Sequence, residues 1–424
     1  MSAIQVTGAG TLCGETAVQG SKNAALPLMA AALLYRGKSV IENVPKIQDV
    51  YCMMGILHSL GCRTEWEEKN KLIIDASDLL GFEICQEEMK KMRSSIILLG
   101  PLLVRTGQAT AYYPGGCSIG KRPVDLHFLA LKALGAEIVE ENGRIEANAR
   151  KLRGENIVFP YPSVGATEHA VLTAVCAEGI TCLKGCAREP EIVELCQFLR
   201  TMGAQIYGEG SGVIVIHGTK HLQGGNWKVR GDRIVAGTYL AAALGTRGDV
   251  LVKGVDPFDL KSTLGVWEQM GAKIRCQKSE IRLTMTHRAD LGIYIRTEPF
   301  PGFPTDMQPI LMAACSTASG ECEIEETVFE GRFKTVYELK KMGADIAIQK
   351  SSIFIKGKKM LYGADVIVPD LRGGAALVIA ALMAEGESRI SGYEYIARGY
   401  ESICRDIQQL GGKISLQQVC SENP

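Results

Sequence analysis

The sequence predicts an α/β protein of six repeated modules grouped into two domains, and three observations predict it. A Leu- or Met-rich helical run ends in glycine six times, and each time a short alternating strand follows: "HSLGCRTEW", "KALGAEIVE", "RTMGAQIYG", "EQMGAKIRC", "KKMGADIAI" and "QQLGGKISL". The glycines are Gly61, Gly135, Gly203, Gly271, Gly343 and Gly411, spaced 74, 68, 68, 72 and 68 residues apart. Glycine just past a helix supplies the left-handed cap that lets the chain reverse into a strand. Each interval also holds two helical patterns of opposite character. Finally, a period near 70 residues exceeds the roughly 20–50 residues of stacked solenoids, so each repeat is a small αβ module. A chain of 424 residues has ample core for two or three domains, and six modules divide into two sets of three.

Within a module the elements follow one order. The first helix is apolar all round: "AALPLMAAALL", "SIILLGPLLV", "EHAVLTAVCA", "IVAGTYLAAALG", "PILMAAC" and "AALVIAALMA". Such a helix is buried. The second is amphipathic and ends at the repeating glycine, as in "EIVELCQFLRTM" and "DLKSTLGVWEQM". Short strands such as "KSVIEN", "QATAYY", "ITCLKG" and "DVLVKG" lie between the two helices, and a pair joined by a turn follows the glycine. The module therefore reads strand–helix–strand–helix–strand–strand. The natural division falls near Gly231, between the third and fourth modules, and pattern alone leaves the partner of the N-terminal strand open.

Composition excludes several classes. Forty-seven basic residues balance 47 acidic ones, which does not indicate a nucleic-acid or anionic-membrane surface. "MSAIQVTGAG" lacks the basic and apolar segments of a secretory signal. The longest apolar run, from Ala24 to Leu34, is too short to cross a bilayer. Fourteen scattered cysteines read as reduced, core-filling thiols of a cytoplasmic protein. Cys182 and Cys186 have a metal-like spacing, but no His–Cys cluster completes a site, so no metal is expected.

The repeat aligns loops, and the loops carry the chemistry. The apolar helices open with Gly20-Ser21-Lys22-Asn23, Met92-Arg93-Ser94-Ser95, Ser163-Val164-Gly165-Ala166-Thr167, Gly231-Asp232-Arg233, Pro304-Thr305-Asp306-Met307 and Asp370-Leu371-Arg372-Gly373-Gly374. Asp, Ser and Thr there read first as N-caps. Lys22, Arg93 and Arg372 do not, because a cation in the first turn opposes the helix dipole at a cost of roughly 0.3–1 kcal/mol. Three at equivalent positions point to an anionic ligand. The loops before the amphipathic helices add Arg122, 13 residues before Gly135; Arg332, 11 before Gly343; and Arg398, 13 before Gly411. Arginine's planar fork suits a small ligand bearing carboxylate and phosphate.

Cys117 departs from the core pattern of the other thiols. It lies in the glycine-rich "PGGCSIGKRPVDLH", near Lys121, Arg122 and His127. Neighbouring cations favour its thiolate, and a glycine-rich loop is suited to act as a lid carrying an acid or nucleophile.

The motifs "GSKNAALPLMAAALL", "MRSS", "PGGCSIGKRPVDLH", "SVGAT", "REPEI", "FPTDMQ", "VFEGRF", "DLR" and "ARGYE" follow one another along the whole chain. In these it resembles the enolpyruvyl transferase family, in its UDP-N-acetylglucosamine 1-carboxyvinyltransferase branch. The resemblance implies two inside-out α/β barrel domains built from six βαβαββ repeats. One would comprise residues 1–20 plus 231–424, with Asp306, Arg332, Arg372 and Arg398. The other would comprise 21–230, with Lys22 and the Cys117 loop. It implies transfer of enolpyruvyl from phosphoenolpyruvate to the 3′-hydroxyl of UDP-N-acetylglucosamine, opening bacterial peptidoglycan synthesis. No cofactor, nucleic acid or membrane insertion is implied. The alternatives are 3-phosphoshikimate 1-carboxyvinyltransferase, which lacks the cysteine lid, and a catalytically silent nucleotide-sugar-binding relative.

The family roles fall on particular residues. Lys22, Arg122 and Arg398 would hold phosphoenolpyruvate, assisted by Asn23, Arg332 and Arg372. Cys117 would act as acid toward its methylene carbon, and Asp306 would accept the sugar hydroxyl proton. Arg122, Pro123, Val124, Asp125, Leu126 and His127 would line the uridine site with Ser163, Val164, Gly165 and Val328. Arg93 would reach the diphosphate, and Asp370 would join the substrate contacts beside Arg372. Two departures stand out. Tyr161-Pro162-Ser163 replaces a stretch where some members carry Lys, and the two glycines of "DLRGG" are expected to loosen the helix start behind Arg372.

Overall fold

The structure is a computed structural model that describes residues 2–115, 119–120, 123–290 and 292–418. Its chain divides into two compact units. Unit 1 comprises Met1–Gln19, Ser118–Lys121 and Gly231–Pro424; unit 2 comprises Gly20–Cys117 and Arg122–Arg230.

All six repeating glycines adopt positive φ, from +85° at Gly411 to +100° at Gly135. Only glycine takes this conformation without strain, so the chain reverses there into its strand pair. Seven residues after the first five glycines comes a second left-handed residue, at Glu68, Asn142, Gly210, Lys278 and Lys350. These are the turns of the paired strands, for example Arg63–Glu67 with Lys71–Asp75 and Lys273–Gln277 with Glu280–Thr284.

The apolar helices form the centre of each unit. In unit 2 they are α1 (Lys22–Ala32), α2 (Leu99–Thr106) and α3 (Val164–Ala174), with α3 packed against both others. In unit 1, α4 (Arg233–Gly245), α5 (Gln308–Cys315) and α6 (Leu371–Met383) all pack on one another. Strands such as Lys71–Asp75 and Val213–His217 alternate between buried and more exposed residues, as expected of sheets with one face on a core. Each unit thus has helices inside and sheets outside, around its own continuous apolar cluster. The second module departs from the pattern. "SIILLGPLLV" is not one helix: Arg93–Leu98 is a 3-10 turn and the α-helix begins at Leu99. Pro101, third in that helix, has no N–H to donate to the preceding turn, whereas Pro27 is accommodated inside α1.

Sheet topology settles where the N-terminal strands pair. β1 (Ser2–Thr7) inserts antiparallel between Glu387–Ser391 and Lys413–Gln418, supplying the strand that the sixth module lacks. β2 (Cys13–Ala17) runs parallel to Asp249–Lys253 in the fourth module's sheet. In exchange, β3 (Asn226–Lys228) runs parallel to Lys38–Glu42 in the first module's sheet. The first and fourth modules have therefore swapped opening strands. The ends of unit 2 meet, with Ser21 N donating to Arg230 O at 2.8 Å, and within unit 1 Asp232 N donates to Gln19 O at 2.9 Å.

Candidate active site

In unit 1 the arginines converge on one carboxylate. Asp306 lies in a 3-10 turn, Thr305–Met307, that leads into α5. Arg332 opens a similar turn ahead of the helix Thr335–Lys341, and Arg372 is the second residue of α6. Arg332 Nη2 lies 2.5 Å from Asp306 Oδ1, while Arg372 donates from Nε to Oδ2 at 3.1 Å and its Nη2 lies 3.1 Å from the same oxygen. The arginine side chains are only 3% and 4% exposed against 27% for Asp306, so the open side of the group is the carboxylate. Two guanidinium groups thus share one carboxylate in a largely buried place. Burial works against the Arg372 charge, but Asp306, then Tyr400 and Asp232, more than offset it and raise its pKa above the ordinary arginine value. Arg372 also stacks over the Tyr400 ring at 5.7 Å, and Tyr400 Oη lies 2.8 Å from Thr238 Oγ1. Arg332 Nε and Arg372 Nη1 are buried without a hydrogen-bond partner among the described residues, leaving donor capacity at the site.

Helix starts hold this group in place. Asp370 is the N-cap of α6, accepting from Arg372 N at 3.0 Å and Gly373 N at 2.9 Å. The expected loosening at "DLRGG" is not what the structure has. A Cβ on Gly373 would lie 2.4 Å from Thr335 Oγ1, and one on Gly374 would lie 2.6 Å from Ile396 Cγ1. The glycines permit close packing, and the helix start is tight. Arg398 is half-buried in the turn after Tyr393–Ile396. That turn abuts α6, since a Cβ on Gly399 would lie 2.8 Å from Leu371 Cδ2. Val328 is half-buried, its N–H held by Glu326 Oε1 at 2.8 Å. Farther along the same loop, Gly331 N donates to Ile119 O at 2.8 Å.

In unit 2, Lys22 is the first residue of α1, behind its N-cap Ser21. Its Nζ meets Asp49 Oδ2 at 3.1 Å, with side chains 13% and 5% exposed. Asn23 follows, half-buried. Arg93 Nη2 donates to Pro123 O at 3.1 Å. Val124 is buried and Leu126 half-buried, while Asp125 is exposed in the first turn of the helix Asp125–Ala133. His127, also on that helix, lies against Gly165, where a Cβ would come 3.1 Å from its Cε1 and 3.3 Å from its Nε2. Ser163 caps α3, and Val164 is its first helical residue. The structure thus brings together Arg93 with Pro123, and His127 with the start of α3. Tyr161, where some family members carry Lys, is 42% exposed.

Sequence reasoning missed two partners here. Asp49 is 27 residues from Lys22, so no local spacing links them. His169 lies 3.0 Å, Nδ1 to Nδ1, from His127. Its signal was a polar Glu168-His169 pair inside a helix otherwise apolar all round, and both residues are buried.

Cys117, Lys121 and Arg122 lie outside the described residues. The expectation that the other cysteines are buried needs correction. Cys13, Cys85 and Cys276 are exposed, and Cys52, Cys176, Cys182 and Cys404 are half-buried. Cys13 and Cys276 sit on strands of one outer sheet, where side chains alternate outward, and Cys85 precedes the short helix Gln86–Lys91.

Helix-centred α/β units whose helix starts gather arginines define the class of the enolpyruvyl transferases. The enolpyruvyl transferase NikO from Streptomyces tendae shares the fold, with a TM-score of 0.89 at 22% identity over 99% of each chain. The EPSP synthase from Acinetobacter baumannii does so with a TM-score of 0.77 at 20% identity, covering 99% of this chain and 100% of that one. The family model of EPSP synthase (3-phosphoshikimate 1-carboxyvinyltransferase) matches residues 6–407, and the chain belongs to this family. Within it, the chain is 45% identical over 416 residues to the UDP-N-acetylglucosamine 1-carboxyvinyltransferase of Thermotoga maritima, covering 98% of both chains. It is 46% identical over 415 residues to UDP-N-acetylglucosamine 1-carboxyvinyltransferase 1 of Symbiobacterium thermophilum, covering 97% of this chain and 94% of that one. No helix among the described residues is long and apolar enough to cross a membrane.

Proposed function

We propose that this protein transfers the enolpyruvyl group of phosphoenolpyruvate to the 3′-hydroxyl of UDP-N-acetylglucosamine, releasing phosphate, in the cytoplasm, as the first committed step of peptidoglycan synthesis. The observation that carries the reading is the near-full-length similarity, at about 45% identity, to relatives bearing that name. The shikimate alternative has weaker support, because the EPSP synthase structure shares 20% identity and speaks to the fold alone.

The unit 1 geometry supports a division of labour. Phosphoenolpyruvate carries carboxylate and phosphate, both matched to guanidinium forks. Arg332 and Arg372 hold Asp306 between them in this structure. An incoming dianion competes for the same donors and draws them from the carboxylate. Asp306 is thereby released to accept the proton of the sugar hydroxyl as that oxygen attacks C2 of phosphoenolpyruvate. Substrate binding and base activation are then one event. Cys117 donates a proton to the methylene carbon, giving a tetrahedral phospho-ketal; the Cys117 thiolate then takes a proton back from the resulting methyl group as the C2–O bond to phosphate breaks, restoring the double bond and releasing phosphate. Lys22, Asn23, Arg122 and Arg398 complete the anion contacts, and fixed cations stabilise the charge that develops on the departing phosphate. Arg93, the residues from Pro123 to His127, the start of α3 and Val328 receive the nucleotide.

Phosphate release from phosphoenolpyruvate tests the reading. It should require UDP-N-acetylglucosamine and should not occur with shikimate 3-phosphate. The reverse dependence would establish the alternative, and tight nucleotide-sugar binding without turnover would establish a silent relative.

A further inference from the structure

His127 and His169 form a buried imidazole pair in unit 2. Their Nδ1 atoms are 3.0 Å apart, their ring centroids 5.3 Å apart, and the residues are 6% and 0% exposed. Two nitrogens at this distance form a hydrogen bond only if one carries a proton and the other does not. The opposite edge of His169 settles the direction. Its Nε2 is buried and has no hydrogen-bond partner among the described residues, and it faces Gly100, where a Cβ would lie 3.2 Å from it. An orphaned N–H in such a place is rarer and more costly than an orphaned lone pair. The His169 proton therefore belongs on Nδ1. Complete burial also pushes its pKa down to about 3, so the ring is neutral.

We propose that His169 is a positioning residue that donates from Nδ1 to His127 Nδ1 and fixes His127 as the Nε2–H tautomer. The Nε2 edge of His127 lies on the first turn of α3 at Gly165. The nucleotide side of unit 2 is thereby given a neutral donor, suited to a carbonyl or phosphate oxygen of the nucleotide and discriminating against a donor in the same place. The substrate part of this inference rests on the function proposed above, but the tautomer does not.

Two measurements separate them. In a long-range ¹H–¹⁵N spectrum of histidine-labelled protein, assigned with His127 and His169 variants among only six histidines, His169 should appear as the Nδ1–H form and His127 as the Nε2–H form near neutral pH. The opposite pattern overturns the proposal whatever the substrate proves to be. In kinetics, His169→Leu should raise the KM for UDP-N-acetylglucosamine about 3- to 10-fold, with the KM for phosphoenolpyruvate and kcat within about twofold. His169→Asn should restore it, because an amide N–H can replace the Nδ1 donor. Failure of Asn to restore it, in a variant with the thermal midpoint of the parent, overturns the positioning role. An equal rise in both KM values does the same. If the parent enzyme uses another acceptor, the functional reading falls and the spectrum still decides the tautomer.

Discussion

Arg372 and Asp306 are 66 residues apart in sequence, yet two guanidinium nitrogens of one reach the same carboxylate oxygen of the other at 3.1 Å. With Arg332 on the second oxygen, the carboxylate is both the counter-ion of two buried cations and the proposed base. Charge neutralisation and proton transfer make different demands, so they can be separated by substitution. Asp306→Asn retains acceptor and shape but not basicity, and turnover should fall about 10²- to 10⁴-fold. Asp306→Ala also leaves two cations uncompensated and should cost about 3 kcal/mol of stability. Thermal denaturation beside turnover distinguishes the two, and an active Asn variant would remove Asp306 as base.

Arg398→Ala should raise the KM for phosphoenolpyruvate or lower kcat/KM about 10- to 150-fold, the loss of a charge-assisted contact of roughly 1.5–3 kcal/mol. Calorimetric affinity for the nucleotide sugar alone should change less than about twofold. A collapse of that affinity with normal phosphoenolpyruvate use would reverse the assignment of the two half-sites.

The exposed Cys13, Cys85 and Cys276 provide internal controls for the proposed role of Cys117. A neutral alkylating agent should label these three as well. A small phosphonate-bearing epoxide should be steered by the anion site and should label Cys117 mainly, as read by peptide mapping. Cys117→Ser should lose most turnover, since a hydroxyl is a weak acid near neutral pH, whereas Cys117→Asp should retain some. A fully active Ser variant would contradict the acid role.

Burial raises the Glu194 carboxyl to about 7, despite bonds from Trp227 Nε1 at 2.9 Å and Arg230 N at 2.8 Å. The folded pKa lies above the unfolded one, so the unfolded chain releases its proton first. Stability from this group is therefore highest below pH 4.5 and falls as pH climbs to about 7, by roughly 3 kcal/mol. Glu194→Gln keeps an acceptor for both donors and removes the titration. Denaturant midpoints at pH 5 and pH 8 should lie closer together in the variant than in the parent. Glu168, raised by burial and by Glu191 and Glu189, leaves a residual slope. An unchanged difference between the two midpoints would show that Glu194 does not carry it.

The module order was legible because glycine caps and apolar helices are local signals, and the left-handed turn seven residues past each of five caps shows how regular they are. Lys22 and Arg372 were legible as cations placed against a helix dipole. Their partners were not, since Asp49 and Asp306 are brought to them by packing between helices far apart in sequence. The break before Leu99 was not legible from Pro101 alone, because Pro27 sits inside the unbroken α1. Exposure of Cys13 and Cys276 depends on which face of a strand is outward, and that in turn depends on pairing across hundreds of residues. The strand exchange between modules is of the same kind, because either strand would satisfy either sheet.

The place of β1 in the sixth module's sheet has a consequence during synthesis. β1 emerges long before its partners, Glu387–Ser391 and Lys413–Gln418. Unit 2 needs nothing beyond Arg230 and already has its closing bond, Ser21 N to Arg230 O, when that residue appears. At about 5–20 residues per second, unit 1 waits roughly 10–40 s longer for its last strand. Throughout that interval β1, whose Ile4 and Val6 are fully buried in the finished protein, is an unpaired apolar edge on the nascent chain.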